Sequence, residues 1–293
     1  EGFNFELPQE TINMIKKISE LVGDASYIKT PIFKKKHKSK NNNYIDPNFK
    51  ATVFRAENDE YKQNFSKIQI QINKLSDKNY DIIRNETFEI VDKIKEHMSD
   101  NDFEKLGNCI FKIASSNSFY SHLYAKIYSE LMSKYEIFET IIEKSFIEYL
   151  KIFDEITSQP SADENYEEFC RINIQNDKRR SLSKFITSLL KCDVIQSIFV
   201  IEIIENLIIN FKTYIETEEM TTSCDEISEN LKILIGNSMD ILNNLNDNDE
   251  SDKWLQITEE IKSISKMKTT NYKSFSKKTL FKFYDIVDLL KKK

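Results

Sequence analysis

Residues 80–114 read YDIIRNETFEIVDKIKEHMSDNDFEKLGNCIFKIA, and their apolar spacing decides the fold class. Tyr80, Ile83, Thr87, Ile90, Val91, Ile94 and Met98 recur mostly at steps of three and four, the period that lines one face of an α-helix. Ser99 and Asp100 then offer side-chain oxygens for the unpaired N–H groups of a new helix. Phe103, Leu106, Ile110, Ile113 and Ala114 resume the same spacing. The stretch therefore predicts two helices in succession, separated by a cap.

Outward from this stretch the pattern repeats. A helix fits Phe119 to Met132, and Ser133 with Glu136 has capping-box spacing ahead of Ile137, Ile141, Phe146, Leu150 and Phe153. Pro160 and the acidic residues Asp163 to Glu168 predict a long loop. Beyond it Leu182, Phe185, Ile186, Leu189 and Leu190 form an apolar face. The dense run Ile198 to Phe211 carries Glu202, Glu205 and Asn206, so it reads as a buried helix and not as a membrane span. Ile227, Leu231, Leu234, Ile235, Leu242 and Leu245 predict another helix, and two more follow over about 251–266 and 275–290. No segment alternates with the period of a strand.

Composition agrees. The chain has 293 residues but only 4 Gly and 4 Pro, too few for a fold rich in tight turns, and 31% of its residues are charged. Helices joined by short polar turns satisfy both facts. A bundle and a stack of antiparallel pairs remain open on spacing alone. Pairs such as 60–75 with 77–98 and 100–116 with 118–133 match the repeat length of a HEAT-type solenoid.

The first 59 residues differ. Glu10 to Val22 predicts one amphipathic helix, with Ile12, Ile15, Ile18, Leu21 and Val22 near one face. The run Lys34, Lys35, Lys36, His37, Lys38, Ser39, Lys40 has too little apolar surface to fold alone and reads as an extended basic arm. The chain begins at Glu1 and not at methionine, as an excised segment of something longer would.

Chemistry finds little purchase. His37, His97 and His122 lie on different segments, without the spacing that sets two metal ligands on one helix face. Gly2, Gly23, Gly107 and Gly236 stand alone, so no glycine-rich phosphate loop is available. Cys109, Cys170, Cys192 and Cys224 are widely spaced and suit reduced residues of a cytoplasmic protein. The reading is of a non-enzyme without cofactor or metal. Net charge is −6, so any RNA contact must come from local basic segments. Lys34, Lys35, Lys36, Lys38, Lys40 and Lys178 are the candidates.

Three motifs carry a resemblance. Ile72-Asn73-Lys74-Leu75-Ser76 followed by Tyr80 resembles the signature that opens the middle domain of eukaryotic translation initiation factor 4G. Lys178-Arg179-Arg180-Ser181-Leu182, with Phe185, Ile186, Leu189, Leu190 and Lys191, resembles that family's arginine-rich helix opening. Tyr284-Asp285-Ile286-Val287-Asp288-Leu289 is similar to its closing helix. The matches fall in the family's order over about residues 60–293. The resemblance implies five HEAT pairs that clamp a DEAD-box RNA helicase of the initiation factor 4A type, in the cytoplasm. It implies helicase contacts at Ile72, Asn73, Lys74, Leu75, Tyr80, Arg179 and Arg180, with Ile72, Leu75 and Tyr80 as apolar anchors for a partner's pocket.

The family also binds a cap-binding protein of the initiation factor 4E type through a tyrosine-led peptide. Tyr284 with Leu289 and Leu290 fits that pattern but belongs to a helix whose spacing predicts core. Tyr27 with Ile32 and Phe33 is a looser version on the N-terminal side. Two other readings keep the helical fold: an adaptor in messenger-RNA decay, splicing or nuclear cap binding, and an RNA-binding repeat with no helicase partner.

Overall fold

A computed structural model describes residues 8–22, 60–114, 116–154 and 156–291. The chain divides into two compact units, residues 1–55 and 56–293. In the first, the described element is helix α1, Gln9–Val22, on which Met14 and Ile15 are exposed. Tyr27, Ile32, Phe33 and the lysines of the basic arm lie outside the described residues.

The second unit is all-helical, with no strand among the described residues. Its helices are α2 Glu60–Asn73, α3 Tyr80–Ile94, α4 Asp100–Ala114, α5 Ser121–Lys134, α6 Ile137–Leu150, α7 Tyr166–Lys191, α8 Ser197–Glu216, α9 Thr221–Leu242, α10 Asn248–Ile264 and α11 Lys277–Lys291. Their packing alternates. α3, α5, α7, α9 and α11 each lie against the next to form one layer. α2 packs on α4, α4 on α6, and α8 on α10 to form the other. Five successive pairs thus make a two-layer stack. One apolar core runs through it from Ile68 to Ile286.

Local sequence explains the elements. Asp102 closes the start of α4: its Oδ2 accepts from the Ser99 N–H and from the Ser99 hydroxyl, at 3.1 and 2.7 Å. The Ser133–Glu136 capping box does not form. Ser133 lies inside α5 and donates to the Ser129 carbonyl at 2.9 Å. The long loop ends earlier than the acidic stretch suggests, because Asn165 Oδ1 accepts from the Glu168 N–H at 3.0 Å and starts α7 there. Glu167 and Glu168 then sit in the first turn, where the helix dipole favours negative charge. α8 is the buried helix that its composition predicts, with Val200, Ile204, Leu207, Ile208 and Phe211 inside. Among the described residues no helix is long and apolar enough to cross a membrane.

Aromatic rings stitch the first three pairs. Phe88, Tyr135, Phe103, Phe138, Tyr128, Phe111 and Phe185 form a chain of neighbours with centroids 5.2–6.2 Å apart. Gly107 makes a close approach possible here. A Cβ at that position would lie 2.7 Å from Ile141 Cγ2, so α4 and α6 can touch only because the side chain is absent.

Candidate partner-binding faces

The corner between α2 and α3 is held by its own polar side chains. The Ser76 N–H and hydroxyl donate to Asn79 Oδ1 at 2.7 and 2.8 Å, and Asn79 Nδ2 donates to the Lys74 carbonyl at 2.9 Å. This fixes what the corner hides and what it shows. Ile72, Leu75 and Tyr80 are buried, at 0, 2 and 6% exposure. They are core residues and cannot enter a partner's pocket, which corrects the expectation of an apolar anchor. Their side chains point inward because the three-and-four spacing continues the core face of both helices. Asn73, Lys74, Asp77 and Lys78 are the exposed residues of the corner.

The tyrosine at position 80, where the signature has phenylalanine, has a structural use. Its hydroxyl donates to Glu130 Oε1 on α5 at 3.0 Å, Arg84 bonds the other Glu130 oxygen, and Lys126 Nζ lies 4.2 Å from its ring centroid. Burial, then the Glu130 carboxylate, pushes the Tyr80 phenol well above its ordinary pKa. The hydroxyl therefore stays neutral and ties the first pair to the second.

On α7 the basic triplet splits three ways. Lys178 is exposed. Arg179 is 2% exposed; its Nε donates to the Ile152 carbonyl at 2.7 Å and a terminal nitrogen to Asn176 Oδ1 at 2.6 Å. A helicase contact by Arg179 is thus corrected: it holds the turn after α6 against α7. Arg180 is half-buried, and its guanidinium grips the Glu226 carboxylate on α9. Glu226 is itself buried, and Asn230 Nδ2 donates to it at 2.7 Å while Ser183 donates to Asn230 Oδ1 at 2.9 Å. Burial raises the Glu226 pKa, and Arg180 opposes that shift. This network belongs to the fold. The corner in the first pair and the triplet in the third are not brought together, because α5 packs between α3 and α7.

Two features escape the sequence reading. Phe281 and Tyr284 on α11 are exposed and their rings lie 6.0 Å apart, so Tyr284 is not the core residue its spacing suggests. The other lies in the second layer, where the described residues of α6 and α8 pack sparsely and a groove of about 820 Å³ opens between the two helices.

No group of three or more His, Cys, Asp and Glu side chains is placed to hold a metal ion among the described residues. Cys109, Cys170, Cys192 and Cys224 are free thiols. Burial raises the Cys224 pKa to about 12, the opposite of an activated nucleophile. The chain matches no family model, and no curated protein is significantly similar to it.

Proposed function

We propose that the chain is a non-catalytic scaffold of the HEAT-repeat class that grips a DEAD-box RNA helicase of the initiation factor 4A type. The observation that carries this reading is the order of the motifs on the stack. The Ile72–Tyr80 corner joins the first pair, the Lys178–Lys191 stretch lies on α7 of the third, and Tyr284–Leu289 lies on α11 of the fifth. Five pairs in two layers is the architecture that the resemblance to the initiation factor 4G middle domain implies. Burial of Ile72, Leu75 and Tyr80 moves the proposed helicase contact to the polar rim of the corner, Asn73, Lys74 and Lys78, and to Lys178 on α7. Activation is then conformational selection: a rigid stack that binds the ATP- and RNA-competent form of the helicase better than the open form raises its population. Cap-binding-protein contact at Tyr27, Ile32 and Phe33, and RNA contact along Lys34–Lys40, complete the proposal.

Complex formation tests it. The full chain and a purified initiation factor 4A-type helicase are expected to co-elute in gel filtration. The double variant Asn73→Ala/Lys74→Glu is expected to weaken the complex about tenfold, roughly 1.4 kcal/mol, with unchanged circular dichroism. No complex with the unaltered chain, together with salt-sensitive RNA binding, would replace this reading with an RNA-binding repeat.

A further inference from the structure

We propose that the groove between α6 and α8 docks a Lys/Arg-rich amphipathic helix of a partner protein. This stands apart from the helicase reading and on different residues. In a two-layer stack each helix covers its neighbour, and the second layer does so from α2 to α6 and from α8 to α10. Between α6 and α8 the described residues pack more sparsely. Ile142, Val194, Ile195 and Leu190 form an apolar floor, and Ile147 stands exposed at 66% beside it.

Charge selects the occupant. Glu139, Glu143, Asp193, Glu202 and Glu250 ring the groove, and no lysine or arginine lines it among the described side chains. None of the five carboxylates forms an ion pair among the described residues, whereas acidic side chains elsewhere on the stack are commonly paired. An uncompensated carboxylate rim repels a nucleic acid and gains from a cation. An apolar floor between two helices takes side chains from one face of a third helix, with anchors at i, i+3, i+4 and i+7. The groove volume holds a few such anchors. The helix that fits carries those anchors on one stripe and cations on both flanks.

The probe is a fluorescein-labelled synthetic helix of about 18 residues, roughly 27 Å long, with leucine on one stripe and lysine on both flanks. Its partner is an otherwise identical peptide with glutamate for lysine. Anisotropy with the full chain is expected to show binding of the lysine peptide that weakens with salt, and at least about tenfold weaker binding of the glutamate peptide. Glu139→Lys/Glu143→Lys/Glu202→Lys is expected to reverse that preference. The distant set Glu89→Lys/Glu96→Lys/Glu104→Lys, which changes net charge equally, is expected to keep it. Failure of the lysine peptide to bind, equal binding of both peptides, or equal losses in the two variant sets would each overturn the proposal.

Discussion

In the layer formed by α3, α5, α7, α9 and α11, neighbouring helices are tied by polar bonds. Tyr80 and Arg84 meet Glu130, Lys134 and Tyr135 meet Asp92, Arg180 meets Glu226, and Lys232, Lys278 and Lys282 meet Asp285, Asp225 and Glu229. In the layer of α2, α4, α6, α8 and α10 apolar side chains supply much of the contact, beside polar bonds such as Gln69 with Cys109 between α2 and α4 and Lys212 with Glu260 between α8 and α10. The difference concerns specificity more than energy. Exposed pairs contribute at most about 1 kcal/mol each, but each admits one register of two helices. Apolar contact is larger in total and less selective, so an apolar layer can be interrupted and still offer a surface to another helix.

Removing the buried cation of α7, which ties the laced layer to the turn after α6, gives the largest effect. Arg179→Ala leaves Asn176 and the Ile152 carbonyl without their donor and opens a cavity. It is expected to cost about 3 kcal/mol or more in urea unfolding. In the apolar layer the sharpest test is Gly107→Ala. The added methyl meets the stiff, branched Ile141 side chain, and overpacking of about 1–3 kcal/mol exceeds the gain of roughly 1 kcal/mol in helix propensity. A net loss near 1 kcal/mol is expected; a gain would mean that α4 and α6 separate freely.

Smaller effects distinguish the layers by charge. Asp285→Asn, which frees Lys232, is expected to lower stability by no more than about 0.5 kcal/mol, whereas Glu139→Lys/Glu143→Lys/Glu202→Lys on the groove is expected to cost nothing. Asp92 gives the pH signature. Its hydrogen bonds, first to Lys134, then to Tyr135 and Lys95, hold its pKa below the usual carboxylate value. A depressed folded-state value means that the stabilisation is present above about pH 4 and is lost as pH falls through the folded value. Asp92→Asn is therefore expected to flatten the acid limb of the stability curve slightly, read by urea titrations across that range.

Much of the fold is legible because helical spacing is a local property. Tyr80 to Ile94 and Phe103 to Ala114 are placed by their apolar steps, and Ile198 to Phe211 by its density. The start of α7 is missed for a physical reason. Ile172, Asn176, Arg179, Ser183, Ile186 and Leu190 keep one face at steps of three and four, but half of them are polar, so the stripe is invisible to an apolar count. Their burial depends on Glu226 and Asn230, some fifty residues away on α9. The corner misleads in the opposite sense, because a core face and a binding face share one spacing, and only packing against α4 and α5 shows that Leu75 and Tyr80 point inward. The groove has no local signature, since residues of α6, α8 and the turn after α7 come together there only in the fold.

The scaffold reading is tested most directly by the ATPase rate of an initiation factor 4A-type helicase with saturating RNA, measured as the full chain is titrated in. The account predicts a saturable rise of several-fold that Asn73→Ala/Lys74→Glu shifts to higher scaffold concentration while the plateau is kept. A flat titration, with the chain folded and the helicase active, would contradict it.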